Sequence, residues 1–210
     1  MELAGKRFLV VGASGVLGGL IAAELELRGA VVTGTTHKPV AGRYHQLLFD
    51  ISDPIQVAAL AARTEAIDGL VIASGLVGFG DAVNTSEEVH ARLMAVNFEG
   101  PRQLITALTP KLTGGSVAVI TGVVASRAFP GMSSYVASKS ALGAWLSAYR
   151  LDVRRLGIQV LDARPGHTET GLATRPLFGV APKFPAGLEP RLVAEKTVQA
   201  IELEEETVTY

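Results

Sequence analysis

Short apolar, β-branched runs alternate with longer alanine- and leucine-rich stretches along the chain, and the two periods predict a strand–helix–strand series. RFLVVGA (7–13) is apolar at consecutive positions, the pattern of a strand buried on both faces. VLGGLIAAELELRG (16–29) has a helical period and ends on Gly29, a suitable C-cap. AVVTGT (30–35), HQLLFDIS (45–52), DGLVIASG (68–75), GSVAVITG (115–122) and IQVLDARPG (158–166) predict further strands. DPIQVAALAARTEA (53–66) predicts a helix capped by Asp53 with Pro54 in its first turn. A long helix over 86–112 opens on Ser86 and two acids, and Pro101 predicts a kink within it; a further helix spans 133–157. Continuous apolar strands separated by helices imply an α/β fold, a doubly wound parallel sheet covered on both faces. Residues 1–210 read as one domain, with the proline-punctuated stretch 171–190 as a lid-like loop. The sequence ends on ETVTY, and little room for a terminal strand and tail is expected.

Composition narrows the function. Hydrophobic residues make up 48% and charged residues 19%, which a packed globular core requires and a disordered chain lacks. The net charge of −1 argues against nucleic acid or an anionic membrane as a partner. Without cysteine there is no disulfide or thiolate metal site, and a reducing, cytoplasmic setting is expected. The apolar run Phe8–Val11 is too short for a signal-peptide core or a membrane span. His37, His45, His90 and His167 are scattered without metal-ligand spacing, so no metal is expected.

Between the first strand and the first helix stands VGASGVLGG, a G-x-x-G-x-x-G loop over Gly12, Gly15 and Gly18. Glycines there let the turn tighten and let a pyrophosphate approach the N–H groups of a helix N-terminus. The candidates are Gly12, Ser14, Gly15, Val16 and Leu17; a ligand-free tight turn is the bland alternative. An NAD site places an acid at the end of strand two, yet no Asp or Glu lies between Glu26 and Asp50. Thr35, Thr36, His37 and Lys38 offer hydroxyls and positive charge instead, which suits the 2′-phosphate of NADP over NAD.

Tyr135 and Lys139 are four apart, hence on one helix face. An ammonium beside a phenol favours phenolate and is expected to lower its pKa, which suits proton exchange with an alcohol or carbonyl oxygen. With these motifs in this order, nearly the whole chain, from LVVGASGVLG to ARPGHTETGL, resembles the short-chain dehydrogenase/reductase family and its Rossmann fold. The resemblance implies that Asp50 and Ile51 lie beside the adenine, and that Ala73, Ser74 and Gly75 of IASG line the cofactor. It also implies that Asn97 holds a proton-relay water, Tyr135 is the general acid/base and Lys139 binds the nicotinamide ribose. Pro165, Gly166, Thr168 and Thr170 of PGHTET would meet the nicotinamide end.

One position departs from the family pattern. The serine expected thirteen residues before the tyrosine is Gly122, and neighbouring Thr121 should face the other side of its strand. Ser126, Ser133 or water are the remaining donors. Three functions stay open: an NADP-dependent oxidoreductase of a small carbonyl or secondary alcohol, a non-catalytic NADP(H) sensor or partner subunit, and an isomerase or lyase on the same scaffold. The resemblance implies self-association as a homodimer or homotetramer through the two long helices. Leu177, Phe178, Val180 and Phe184 suggest a partly apolar substrate.

Overall fold

The computed structural model describes residues 1–37, 45–112 and 114–210, with the backbone alone at His45. Seven strands form one parallel sheet: β1 (Arg7–Val11), β2 (Val31–Thr36), β3 (His45–Leu48), β4 (Gly69–Ile72), β5 (Ser116–Ile120), β6 (Gln159–Arg164) and β7 (Thr207–Thr209). Their order is β3-β2-β1-β4-β5-β6-β7, so the chain winds one way from β1 to β3 and then crosses to β4 on the other side. This reversal opens a crevice above the carboxyl ends of β1 and β4.

Alternate residues of each strand feed two separate cores. Leu9, Val11, Val117, Val119 and Val160 pack on one face, against α2 (Pro54–Arg63), α4 (Gly100–Leu108) and α5 (Ser133–Asp152). Phe8, Val10, Ala118, Leu161 and Ala163 face the other side, against α1 (Val16–Leu27) and α6 (Pro190–Glu202). Double burial explains why the strands read as unbroken apolar runs. Asp53 caps α2 as expected, accepting from the Ile55 N–H at 2.9 Å and the Gln56 N–H at 3.3 Å.

Three expectations need correction. The chain does accommodate a terminal strand: Glu189 caps α6 by accepting from the Leu192 N–H at 2.8 Å, and β7 then pairs with β6. The helix expected over 86–112 runs on as helical backbone, but its irregularity lies just ahead of Pro101. α3 (Glu87–Met94) widens into a π-helical turn over Ala95–Glu99 before α4 begins, with Pro101 as the second residue of α4. The third strand stops at Leu48, and Asp50 sits in the turn beyond it. Among the described residues no helix is long and apolar enough to cross a membrane.

Candidate active site

The crevice is a cavity of about 720 Å³. At its floor β1 runs into Gly12, whose φ of +87° is a conformation L side chains rarely adopt, and a Cβ there would stand 2.8 Å from the Ser74 backbone nitrogen. Glycine is required both by the turn and by the approach of the two strand ends. The Thr35 hydroxyl on neighbouring β2 accepts the Gly12 N–H at 3.2 Å and holds the turn. Helix α1 starts at Gly15 without a side-chain cap, so its first-turn N–H groups remain for a ligand. Gly18 serves the packing instead. A Cβ on it would fall 2.2 Å from the Gly12 carbonyl, so its bare backbone seats the helix on the loop.

Gly12, Ser14, Gly15, Val16 and Leu17 line the cavity, as do His37, Asp50, Ile51, Ala73, Ser74 and Gly75. Tyr135, Lys139, Pro165, Gly166, Thr168 and Thr170 line it too. Thr36 does not: it is buried at the end of β2, whereas Thr35 and His37 on either side reach the cavity. Lys38 lies outside the described residues. Asn97 also stands behind the wall. Its side chain accepts from the Leu76 N–H at 2.9 Å and donates to the Leu76 carbonyl at 2.9 Å and to Ser138 Oγ at 3.0 Å, pinning the segment after β4 against α5.

At the far end from the tyrosine, burial pushes the Asp50 carboxyl upward, but hydrogen bonds from the Ser52 hydroxyl and amide, with Arg92 at 3.6 Å, outweigh it and hold the group below the ordinary range. Arg92 lines the cavity and has no motif that would have marked it. The opposite end is walled by Phe79, Phe129, Met132, Leu172 and Phe184, with His167 stacked on Phe184 at a centroid distance of 4.5 Å. Leu172 and Phe184 come from the stretch 171–190; Phe178 of the same stretch is absent from this wall.

Tyr135 and Lys139 lie one turn apart on α5, and both are buried. The ammonium donates to the Ile120 carbonyl at 2.9 Å, at the end of β5. Burial pushes the Tyr135 phenol up to about 12. The expected depression by the lysine is therefore overturned: desolvation of the phenolate governs. Burial also lowers Lys139 to about 8, with Asp162 opposing the fall. At neutral pH the pair is a neutral phenol beside an ammonium.

Gly122 lies between Thr121 and the 3₁₀ turn Val123–Ala125, with φ +87° and ψ 165°, a region essentially confined to glycine. Space is not the obstacle, since the nearest atoms to an added Cβ are the Pro165 carbonyl oxygen at 3.5 Å and Val124 at 3.7 Å. Thr121 lines the cavity, but its hydroxyl is engaged by the Asp162 carboxylate. Ser126 donates to the Val123 carbonyl at 3.2 Å, and neither it nor Ser133 lines the cavity. The cavity wall does carry one hydroxyl oxygen with no partner among the described residues, Ser74 Oγ.

This crevice at a strand-order reversal, with an open helix N-terminus on one side and a Tyr–Lys turn on the other, has the form of a dinucleotide-dependent enzyme site. A family model described as "short chain dehydrogenase" matches residues 6–176. The chain belongs to the short-chain dehydrogenase/reductase family. A "Dehydrogenase/reductase SDR family protein 7-like" from Anopheles gambiae is 28% identical over 99% of this chain and 75% of its own length. "Dehydrogenase/reductase SDR family member 7B" from Bos taurus is 30% identical over 79% of this chain, which spans only 54% of that relative. The chain thus covers about half the length of that bovine relative. Among solved structures, a short-chain dehydrogenase from Burkholderia cenocepacia in complex with NADP superposes with a TM-score of 0.89 at 26% identity, over 100% of this chain and 89% of its own.

Proposed function

We propose that the protein is an NADP-dependent oxidoreductase acting on a carbonyl or secondary alcohol with a partly apolar body. The observation that carries this reading is the meeting, in one cavity, of the glycine-loop helix N-terminus with the buried Tyr135 and Lys139. The residues fit the cofactor: Gly12 leaves its backbone bare, α1 presents uncapped N–H groups, and Ser74 Oγ waits unpartnered on the same wall. NADP over NAD is supported by the lack of an acid at the end of β2, by His37 in the cavity wall, and by the NADP bound to the Burkholderia relative. Thr36 and Lys38 keep a place in this reading as flanking residues of the β2 end.

Bound NADP(H) supplies the hydride. Tyr135 serves the substrate oxygen, giving its proton in reduction and taking one in oxidation. With its phenol raised to about 12, the reducing direction is the one for which the resting side chain already carries its proton. Lys139 holds the cofactor ribose from its seat on the Ile120 carbonyl, and Asn97 keeps the Leu76 segment in place beside it. Pro165, Gly166, Thr168 and Thr170 cover the nicotinamide end. The loop 171–190 serves as the lid, and its Leu172 and Phe184 receive the apolar part of the substrate.

A serine donor is absent from position 122, and losing one oxyanion donor typically costs ~10²–10³ in rate. Slow turnover is therefore expected. Gly122 also favours a second reading, a family member that binds NADP(H) without turning over. A cytoplasmic homodimer or homotetramer is the proposed state. NADPH oxidation over a panel of aliphatic and aromatic ketones and aldehydes separates the readings. Oxidation that Tyr135→Phe lowers by ~10³ or more supports the enzyme; binding without oxidation, or a fully active Tyr135→Phe, overturns it.

A further inference from the structure

Beneath the site lies a charged group that the cavity does not use. Asp162 of β6 is 1% exposed. One carboxylate oxygen accepts from the Thr121 hydroxyl; the other takes both Arg164 Nε at 2.8 Å and Arg164 Nη2 at 2.6 Å. Neither Asp162 nor Arg164 lines the cavity. Two residues apart on one strand, they face the same side, toward α5. There Gly143 lies beside them: a Cβ on it would be in ordinary contact, 3.7 Å from Asp162 Oδ2 and 3.9 Å from Arg164 Nη2.

Gly143 is one helical turn beyond Lys139, on the same face of α5. Thr121, held by Asp162, directly follows Ile120, whose carbonyl receives the lysine. Asp162 thus reaches Lys139 along two short paths, through the end of β5 and through the face of α5. A carboxylate this deeply buried costs free energy unless its lone pairs and charge are matched; Thr121 and Arg164 match it, and its charge also acts on Lys139. We propose that Asp162 is a positioning residue for Lys139: it clamps the strand end that seats the ammonium and supplies the negative charge that the buried ammonium faces.

Among the described residues, Tyr135 lies one turn back on α5, and Asp162 of β6, itself paired with Arg164, acts on Lys139 through its charge; Asn97 and Gly75, which lie beside the ammonium, are neutral. Asp162 opposes the effect of burial on the lysine. Arg164 tempers that carboxylate, so the two single-charge deletions should act in opposite senses. A purely structural clamp has no reason to give opposite senses. The inference takes the functional meaning of Lys139 from the reading above, yet its measurement needs no turnover.

The test is the titration of Lys139 in the cofactor-free protein, by NMR of lysine labelled at Cε, with the signal identified by its loss in Lys139→Met. Wild type should titrate at about 8. Asp162→Asn should lower the midpoint by about one pH unit, Arg164→Met should raise it, and Asp162→Asn/Arg164→Met should return it close to wild type. An unchanged midpoint on removing either charge, or a shift in the same direction for both, overturns the proposal. If Asp162→Asn leaves Arg164 stranded and does not fold, Arg164→Met and the double variant decide: a raised and a restored midpoint support it, and two unmoved ones refute it. Absence of carbonyl turnover with the expected titrations would refute the enzyme reading and leave this one standing.

Discussion

Two strands of the sheet, β1 and β5, run into glycines with the same φ of +87°, and the two glycines are required for different reasons. At Gly12 the backbone angle and the space both exclude a side chain, because the Ser74 backbone stands where a Cβ would go. At Gly122 the space is open and only the backbone angle excludes one. Each strand end is held by a threonine, Thr35 by accepting the Gly12 N–H and Thr121 by bonding Asp162. The β1 end is built so that a ligand can touch bare backbone. The β5 end turns around an open spot and presents no hydroxyl at position 122. At position 122 the backbone angle, and not the space, is what stands against a serine.

The largest expected effect in this comparison is at β1. Gly12→Ala adds a Cβ against backbone atoms at a strained angle and should cost about 4 kcal/mol, read as a fall in denaturation midpoint. A cost below about 1 kcal/mol would show that the two strand ends can part.

The β5 end carries a charge that the β1 end lacks. Unfolded Lys139 titrates near 10.5 and the folded side chain near 8, so the folded state carries the cost of a buried ammonium below pH 8. Lys139→Met should stabilise the fold at pH 7 by about 2 kcal/mol while abolishing function, the trade expected of a group kept for its chemistry. Between pH 8 and 10.5 the wild type sheds its bound proton on folding and gains stability, so the advantage of the variant should vanish across that window. A variant less stable than wild type at pH 7 would contradict the assignment.

The smallest effect is expected at Gly122. Gly122→Ser should cost only about 1–2 kcal/mol, from the backbone angle alone. Its hydroxyl should fail to raise turnover unless the turn Val123–Ala125 moves with it. A stable, faster Gly122→Ser would show that the strand end already has the family's shape.

The two ends are also unequally legible in the sequence. VGASGVLGG is local, and its spacing carries the turn, the helix start and the backbone approach together. The Tyr135–Lys139 pair is equally local. At the β5 end the residue type of Gly122 is visible but its conformation is not, because φ depends on how Thr121 is tied to a strand 41 positions away. Asp162 and Arg164 read as an ordinary polar pair in a strand, and only the fold puts them behind Lys139. The π-helical turn at Asn97 is hidden because Pro101 supplies a ready reason for a break nearby. Helix α6 has a usable signal, Glu189 and Pro190 before Val193, Ala194, Thr197, Val198 and Ile201, which the prolines just upstream obscure. Of the two threonines at the end of β2, both buried, strand alternation turns Thr35 toward the Gly12 loop and the cavity and Thr36 away from them, which the residue types alone do not show.

The central claim is that the cavity over the Gly12 turn holds NADP(H). It is tested most directly by fluorescence titration of the purified protein with NADPH and, separately, NADH. The account predicts saturable NADPH binding, tighter than NADH by about tenfold or more. Tighter binding of NADH would contradict the choice of cofactor, and binding of neither would reduce the glycine loop to a turn and remove the basis for an oxidoreductase.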